Sequence, residues 1–126
     1  MNKLLIVLLG GAIGTGFRFG VINLVAYLLR KPPKYPYATF LINITGSLLI
    51  GFLAELFDAR STASPELRAM LLVGVLGGYT TFSSFSLETL NLIRDNQVGA
   101  AFLYSAGSVI LGLMACWLGV HLARMS

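Results

Sequence analysis

The sequence has few charged side chains and almost none of the residue types on which enzyme and metal sites depend. Its 126 residues include five acidic residues, nine Lys or Arg, one histidine and one cysteine. No spaced set of metal ligands or nucleophiles can be assembled from these, so an enzyme is the least favoured class of protein. The single Cys116 excludes an internal disulfide, and the scattered basic residues argue against a nucleic-acid partner.

Most of the chain is apolar. Hydrophobic residues make up 56% of the chain and mean hydropathy is +0.82. The 14 glycines raise the apolar share to about two thirds, against about 45–50% in soluble domains counted in the same way. A chain of this length has too little interior to bury so much apolar surface. We therefore expect the solvent to be lipid.

Four apolar runs predict an all-α integral membrane protein. Each run is long enough, at about 1.5 Å per residue, to cross a hydrocarbon core of about 30 Å. The connections are short, which predicts a single four-helix domain over residues 1–126. The predicted membrane spans cover about residues 4–29, 37–57, 69–92 and 98–123.

The basic residues outside these runs favour neither orientation in the membrane. Four lie on each side, namely Lys3, Arg60, Arg68 and Arg124 on one and Arg30, Lys31, Lys34 and Arg94 on the other. The distribution of Lys and Arg normally sets orientation. The balance either reflects loops too short for any bias, or a protein that inserts both ways and pairs with an inverted copy of itself.

An arginine interrupts the first run near its middle. Arg18 follows Gly10 and Gly14 at a spacing of four, so the three share a helical face suited to close packing. A charge inside a span usually faces protein or water. Arg18 is either a source of positive potential for an anion or a brace hydrogen-bonded to carbonyls. We favour the brace, because a guanidinium in direct contact would hold an anion too tightly for rapid passage.

The second and fourth runs each carry a polar stripe with a spacing of four residues. The stripes consist of Thr39, Asn43 and Ser47, and of Tyr104, Ser108, Gly112 and Cys116. An amide NH2 group at mid-membrane can donate to an anion while a neighbouring hydroxyl holds its oxygen. The hydroxyls of the fourth run could continue such a path. The alternative is that both stripes serve close polar packing between helices.

The densest group of polar residues is GGYTTFSSFSLET, residues 77–89. Gly77 and Gly78 are poor helix formers, and the hydroxyls of residues 79–81 compete for backbone groups, so we expect the third helix to be broken near its middle. Unwound backbone at membrane depth survives only against protein or water. Its carbonyls could bind a small cation and its hydroxyls an anion; the alternative is a kinked structural helix.

Two phenylalanines and a glutamate follow this point on one helical face. The edges of the Phe82 and Phe85 rings carry partial positive charge and could coordinate a bare anion. Packing is the ordinary role of such residues. Glu88 lies near the end of the span, where a solvated vestibule and a buried partner fit it equally well.

Together these motifs resemble the Fluc/CrcB family of bacterial fluoride channels. The resemblance covers the whole chain and rests on GGAIGTGFRF, TFLINITGSLLIG, GGYTTFSSFSLE and the Tyr104 and Ser108 track. It implies a passive fluoride-selective channel of the bacterial cytoplasmic membrane that exports cytoplasmic fluoride. It also implies an antiparallel homodimer of dual topology with two pores.

The resemblance also implies roles for individual residues. The fluoride pathway would comprise Asn43 as amide donor, Phe82 and Phe85 as an aromatic box, and Thr81, Tyr104 and Ser108. Arg18 and Glu88 would have electrostatic or structural roles. The backbone carbonyls of Gly77 and Thr80 from both subunits would bind a structural Na+ at the dimer interface. Family tracks can continue with further hydroxyls, where this chain has Gly112 and Cys116.

The main alternative is a small multidrug transporter, which also has four short spans and can insert in both directions. That class exchanges protons through a carboxylate in its first helix, whereas the first run here carries Arg18 and no acidic residue. A purely structural membrane subunit is a third possibility. It would not need the hydroxyls clustered in residues 77–89.

Overall fold

The computed structural model describes residues 2–30, 34–61 and 63–126, within which all regular secondary structure is helical. Lys31, one of the flanking charges counted above, lies outside the described residues. The elements are α1 (Lys3–Leu29), α2 (Tyr37–Arg60), α3 (Pro65–Arg68), a π-helical stretch (Ala69–Val75), α4 (Leu76–Tyr79), α5 (Phe82–Arg94) and α6 (Val98–Met125).

Four segments are long and apolar enough to cross a membrane. They are α1, α2, the third segment Pro65–Arg94 and α6. Large apolar side chains point away from the bundle along these segments, with Phe17 65% and Leu103 72% exposed. Such a surface suits lipid and not water. The prediction of an all-α protein with four helices able to span a membrane is confirmed.

Local sequence explains where several helices begin and end. The Asn2 side chain caps α1 by accepting a hydrogen bond from the backbone N–H two residues on, at 3.0 Å. Ser64 caps α3, and Pro65 occupies the first helical turn, where a missing N–H costs nothing. Arg30 and Ser61 take left-handed backbone angles and end α1 and α2.

α1 packs against the third segment through glycines. A Cβ on Gly10 would lie 2.6 Å from the carbonyl oxygen of Met70, and one on Gly14 would overlap the carbonyl of Val75. Later residues of α1 meet later residues of the third segment, so the two run parallel. The predicted close-packing face of α1 therefore contacts another helix of the same chain.

α2 and α6 form the second helix pair. Gly51 leaves no room for a side chain against the carbonyl of Cys116, and Gly119 leaves none against Leu48. α5 packs against α6 through a small buried cluster of Leu92, Ala101 and Tyr104. This arrangement brings the polar stripes of α2 and α6 to the same side of the bundle as the start of α5.

The third segment departs from helical geometry at two residues. Thr80 has φ −81° and ψ 161°, and Thr81 has φ −153° and ψ 119°. Gly77 and Gly78, which we expected to interrupt the helix, lie inside α4. At Gly78 packing overrides the low helix propensity, because a Cβ there would lie only 2.5 Å from a backbone oxygen of α1.

We predict that Gly14→Ala destabilises the protein by about 1–3 kcal/mol, the usual cost of overpacking, because the added methyl overlaps a backbone carbonyl. Gly16→Ala on the same helix is the matched control, since a Cβ there meets nothing within 4 Å. Thermal unfolding of both purified variants in detergent measures the difference. Equal transition temperatures for the two variants would contradict this packing.

Candidate functional site

One cavity collects most of the residues singled out by their sequence pattern. It has a volume of about 390 Å³ and lies between α2, the third segment and α6. Seven of the predicted site residues line it, namely Asn43, Gly77, Thr80, Thr81, Phe82, Phe85 and Ser108. Residues far apart in the chain thus converge on one space.

Asn43 is fixed by the backbone of Thr81. Its Nδ2 donates to the Thr81 carbonyl at 3.0 Å, and the Thr81 N–H donates to its Oδ1 at 2.9 Å. We expected a hydroxyl to hold the amide oxygen; a backbone N–H does so instead, because the extended residue Thr81 has left the helical hydrogen-bond ladder. The second N–H of the amide nitrogen stays available to another acceptor.

The first turn of α5 lies at the edge of the cavity. Thr81 caps this helix, and its Oγ1 accepts a hydrogen bond from the Ser84 N–H at 3.2 Å. A helix N-terminus carries about half a positive elementary charge. The described residues that line the cavity include no Asp, Glu, Lys, Arg or His. An anion here would therefore meet dipoles and not a full opposite charge.

Phe82 and Phe85 lie side by side at the cavity with ring centroids 5.7 Å apart. Phe82 is 80% exposed, so packing within this chain does not account for its position. Phe85 packs against the buried cluster around Tyr104, with ring centroids 5.4 Å apart. Phe85 thus has a packing role in addition to facing the cavity.

Ser108 supplies an unpaired hydroxyl to the same cavity. Its Oγ is buried and has no hydrogen-bond partner among the described residues. An unsatisfied buried polar group costs about 1–3 kcal/mol. A ligand that accepts a hydrogen bond in the cavity would recover this energy.

Tyr104 and Glu88 belong to a separate hydrogen-bonded group. The Tyr104 hydroxyl donates to Glu88 Oε2 and the Thr39 hydroxyl donates to Oε1, both at 2.7 Å. Tyr104 is absent from the lining of the cavity, although Phe85 connects it to that space. Glu88 combines both environments considered for it, since it has these partners and also lines a second cavity.

Arg18 lies apart from both groups. It is partly buried on α1 and does not line the cavity. The two ion pairs in the described part of the chain join Arg68 to Asp58 and Arg124 to Glu55. The role of Arg18 as a brace therefore stays a prediction.

Several residues of the site received no role from the sequence. Its spacing places Thr39 on the polar stripe of α2, but no local pattern indicates its hydrogen bond to Glu88, which is 49 residues away in the sequence. The cavity lining also includes Gly46, Ser47, Ile50, Leu72, Leu76 and Val109. The apolar members carry no distinguishing signal, because they look like any lipid-facing or packing residue.

Comparison with known proteins assigns the family. Residues 5–120, which include every residue of the cavity, match the family described as "CrcB-like protein, Camphor Resistance (CrcB)". The chain belongs to the CrcB family. The resemblance seen in its motifs is thereby confirmed.

Curated relatives of this CrcB chain share the name "Fluoride-specific ion channel FluC". The protein of Methylobacillus flagellatus is 44% identical over 127 residues, covering 100% of this chain and 98% of the relative. That of Stutzerimonas stutzeri is 47% identical over 116 residues, 92% of each chain. That of Caulobacter vibrioides is 48% identical over 125 residues, 98% of this chain and 97% of the relative.

Proposed function

We propose that this protein is a passive, fluoride-selective channel that exports cytoplasmic fluoride across the bacterial cytoplasmic membrane. The observation that carries the proposal is the cavity whose described lining residues carry no charge, in which Ser108 presents a buried hydroxyl with no partner among the described residues, beside Asn43 and the two phenylalanines. Relatives 41–48% identical to this chain carry the name of a fluoride-specific channel. The protein is accordingly a multi-pass membrane channel and not an enzyme.

The donors in the cavity suit fluoride. Fluoride is small and strongly hydrated, so a pore must replace its water with several modest donors that do not immobilise the ion. Hydroxyl, amide and ring-edge groups are donors of this kind.

Passive transport is sufficient for export. Hydrogen fluoride is a weak acid that crosses membranes in its neutral form and ionises inside the cell. The membrane potential then drives the anion outward through an open channel. A proton-coupled multidrug transporter is not favoured, since α1 contains no carboxylate and the family assignment points elsewhere.

We predict that Phe82→Ile and Phe85→Leu slow fluoride efflux from proteoliposomes by about tenfold or more, equivalent to about 1.4 kcal/mol in the barrier. An aliphatic side chain keeps apolar volume but loses the polarised ring edge. Asn43→Asp should also slow efflux, because it places a negative charge beside the anion. A fluoride electrode reports efflux, and size-exclusion chromatography reports folding.

Phe102→Leu is the matched control for these variants, since Phe102 is 69% exposed on α6 and does not line the cavity. Its efflux should equal that of the wild type. Normal efflux in both Phe82→Ile and Phe85→Leu would assign these rings to packing alone.

We propose that two copies assemble as an antiparallel homodimer with two pores. The cavity opens on the surface of one chain, where Phe82 is largely exposed and the backbone of Thr80 is extended, whereas Thr81 is buried and paired with Asn43 in its own chain. Polar, non-helical backbone is tolerated at membrane depth only where protein or water covers it. A second copy in the opposite orientation would supply that cover, and the balanced flanking charges permit both orientations.

Labelling from one side of sealed vesicles tests this arrangement. Ser126→Cys in a Cys116→Ala background should react with an impermeant maleimide to about half its total, since dual insertion places the C-terminus on both sides. The same reagent added after detergent gives the total. Labelling that is complete or absent from one side would contradict the antiparallel dimer.

We also propose that the Gly77 and Thr80 carbonyls of both copies hold a structural Na+ and that residues 80–81 form the functional break in the third span. Carbonyl oxygens are the hard ligands that such a cation prefers. Gly77 is exposed with open space around its Cα, and the extended Thr80 directs its carbonyl out of the helix. Among the described residues, no cluster of His, Cys, Asp and Glu could hold a metal instead.

Sodium dependence of the dimer tests this site. We predict that replacing Na+ with N-methyl-glucamine lowers the thermal stability of the wild-type dimer. Gly77→Val should abolish this response while leaving the helical content intact, because a Cβ at this exposed position would meet nothing within 4 Å in its own chain. Thr80→Ser should keep the response, since the proposed ligand is a backbone oxygen.

Gly78→Ala is the contrasting variant. Its methyl would press on the Gly11 carbonyl, so it should lower stability with and without Na+. If the thermal stability and the fluoride efflux of the wild-type dimer were the same with and without Na+, the sodium site would be wrong.

A further inference from the structure

A second cavity lies at the end of the bundle where α2 begins and α5 ends. It has a volume of about 310 Å³. Its polar lining consists of Lys34, Tyr35, Tyr37, Thr39, Glu88, Asn91 and Asp95. The Tyr35 and Tyr37 rings contact edge to face, 6.0 Å between centroids, at the start of α2. Paired tyrosines are typical of the membrane–water interface, which places this cavity at the level of the aqueous phase.

The two cavities follow one another along the same helix faces. On α2, Thr39 lines the second cavity and Asn43, one turn further, lines the first. On α5, Glu88 lines the second and Phe85 the first. Tyr104 connects them, since its ring contacts Phe85 and its hydroxyl binds Glu88. The contacts of Tyr104 therefore link the lining of the first cavity to that of the second.

The charges of the second cavity are arranged at two depths. Glu88 lies at its inner end, where the hydroxyls of Thr39 and Tyr104 donate to it. Lys34 and Asp95 are exposed at its rim. Of the described residues that line this cavity, Lys34 alone carries positive charge. Without it, the charged side chains of this lining would be carboxylates only.

The rim charges are not engaged in ion pairs with other described residues. Both ion pairs of the described chain lie at the opposite end, between Arg68 and Asp58 and between Arg124 and Glu55. A charge paired at 2.6–2.8 Å has its field largely cancelled, whereas an isolated charge at a cavity mouth acts on ions in solution.

We infer that the second cavity is the aqueous mouth of the fluoride path, and that Lys34 and Asp95 at its rim set the fluoride access rate in opposite directions. This inference rests on the function proposed above. Lys34 raises the local concentration of fluoride, and Asp95 lowers it. Neither residue lines the conducting cavity, so their effect is on arrival of the ion and not on its coordination.

Single-channel recording at low fluoride measures this effect, because arrival of the ion limits the current there. In about 10 mM NaF, where the Debye length is about 30 Å, Lys34→Gln should reduce the unitary current about two- to fivefold. Asp95→Asn should raise it by a similar factor.

Repeating the recordings with about 1 M sodium gluconate shortens the Debye length to about 3 Å. The differences between the wild type and both rim variants should then disappear. Dimer size and thermal stability of each variant should match the wild type, since both side chains are exposed.

The outcomes separate this inference from the proposed function. A wild-type protein without fluoride current would overturn the function itself. A conducting wild type with an unchanged current in Lys34→Gln at low salt would overturn the mouth assignment alone. A reduction in Lys34→Gln that persists in high salt would overturn the electrostatic role and indicate a structural one.

Discussion

The reciprocal hydrogen bonds between Asn43 and Thr81 are the contact on which the rest of the site depends. Lipid offers no partners for backbone N–H and C=O groups, so a residue that leaves the helical ladder must be paired by protein. Thr81 has left the ladder, and the amide of Asn43 pairs with both of its backbone groups. This permits α5 to start anew in mid-segment, with its N-terminus and both phenylalanines at the cavity.

Close glycine contacts make this geometry possible. Gly10, Gly14 and Gly78 bring α1 against the third segment, and Gly51 and Gly119 bring α6 against α2. α2 meets the third segment at Gly46, where a Cβ would overlap the Thr80 side chain, so a larger residue there would move the side chain of Asn43 away from the backbone of Thr81. The large number of glycines, which lowers helix propensity, is thus compensated by packing.

The distribution of charge follows from the same low-dielectric environment. No Asp, Glu, Lys, Arg or His among the described residues lines the first cavity, whereas charged groups line the second cavity and form ion pairs at the opposite end of the bundle. A full charge beside the path would hold or repel an ion strongly, because little solvent screens it there. Partial charges from a helix end, an amide and a hydroxyl act more weakly, which suits an ion that must leave again.

Sequence by itself determined the membrane environment, the four spans, the family and most of the residues at the cavity. Hydropathy over twenty-residue windows and a repeat of four along a helix are local properties, and they are sufficient to single out Asn43 and Ser108. Only the tertiary structure decided which groups pair with the polar residues. Gly78 remains helical because α1 packs on it, the backbone N–H of Thr81 and not a hydroxyl holds the amide oxygen of Asn43, and the Tyr104 hydroxyl binds Glu88. Asn43 and Thr81 are 38 positions apart in the sequence. Thr39 and Glu88, which are also hydrogen-bonded, are 49 positions apart. Their partners are selected by the distance between helices, which depends on the packing of all four spans at once and is not encoded in any one of them.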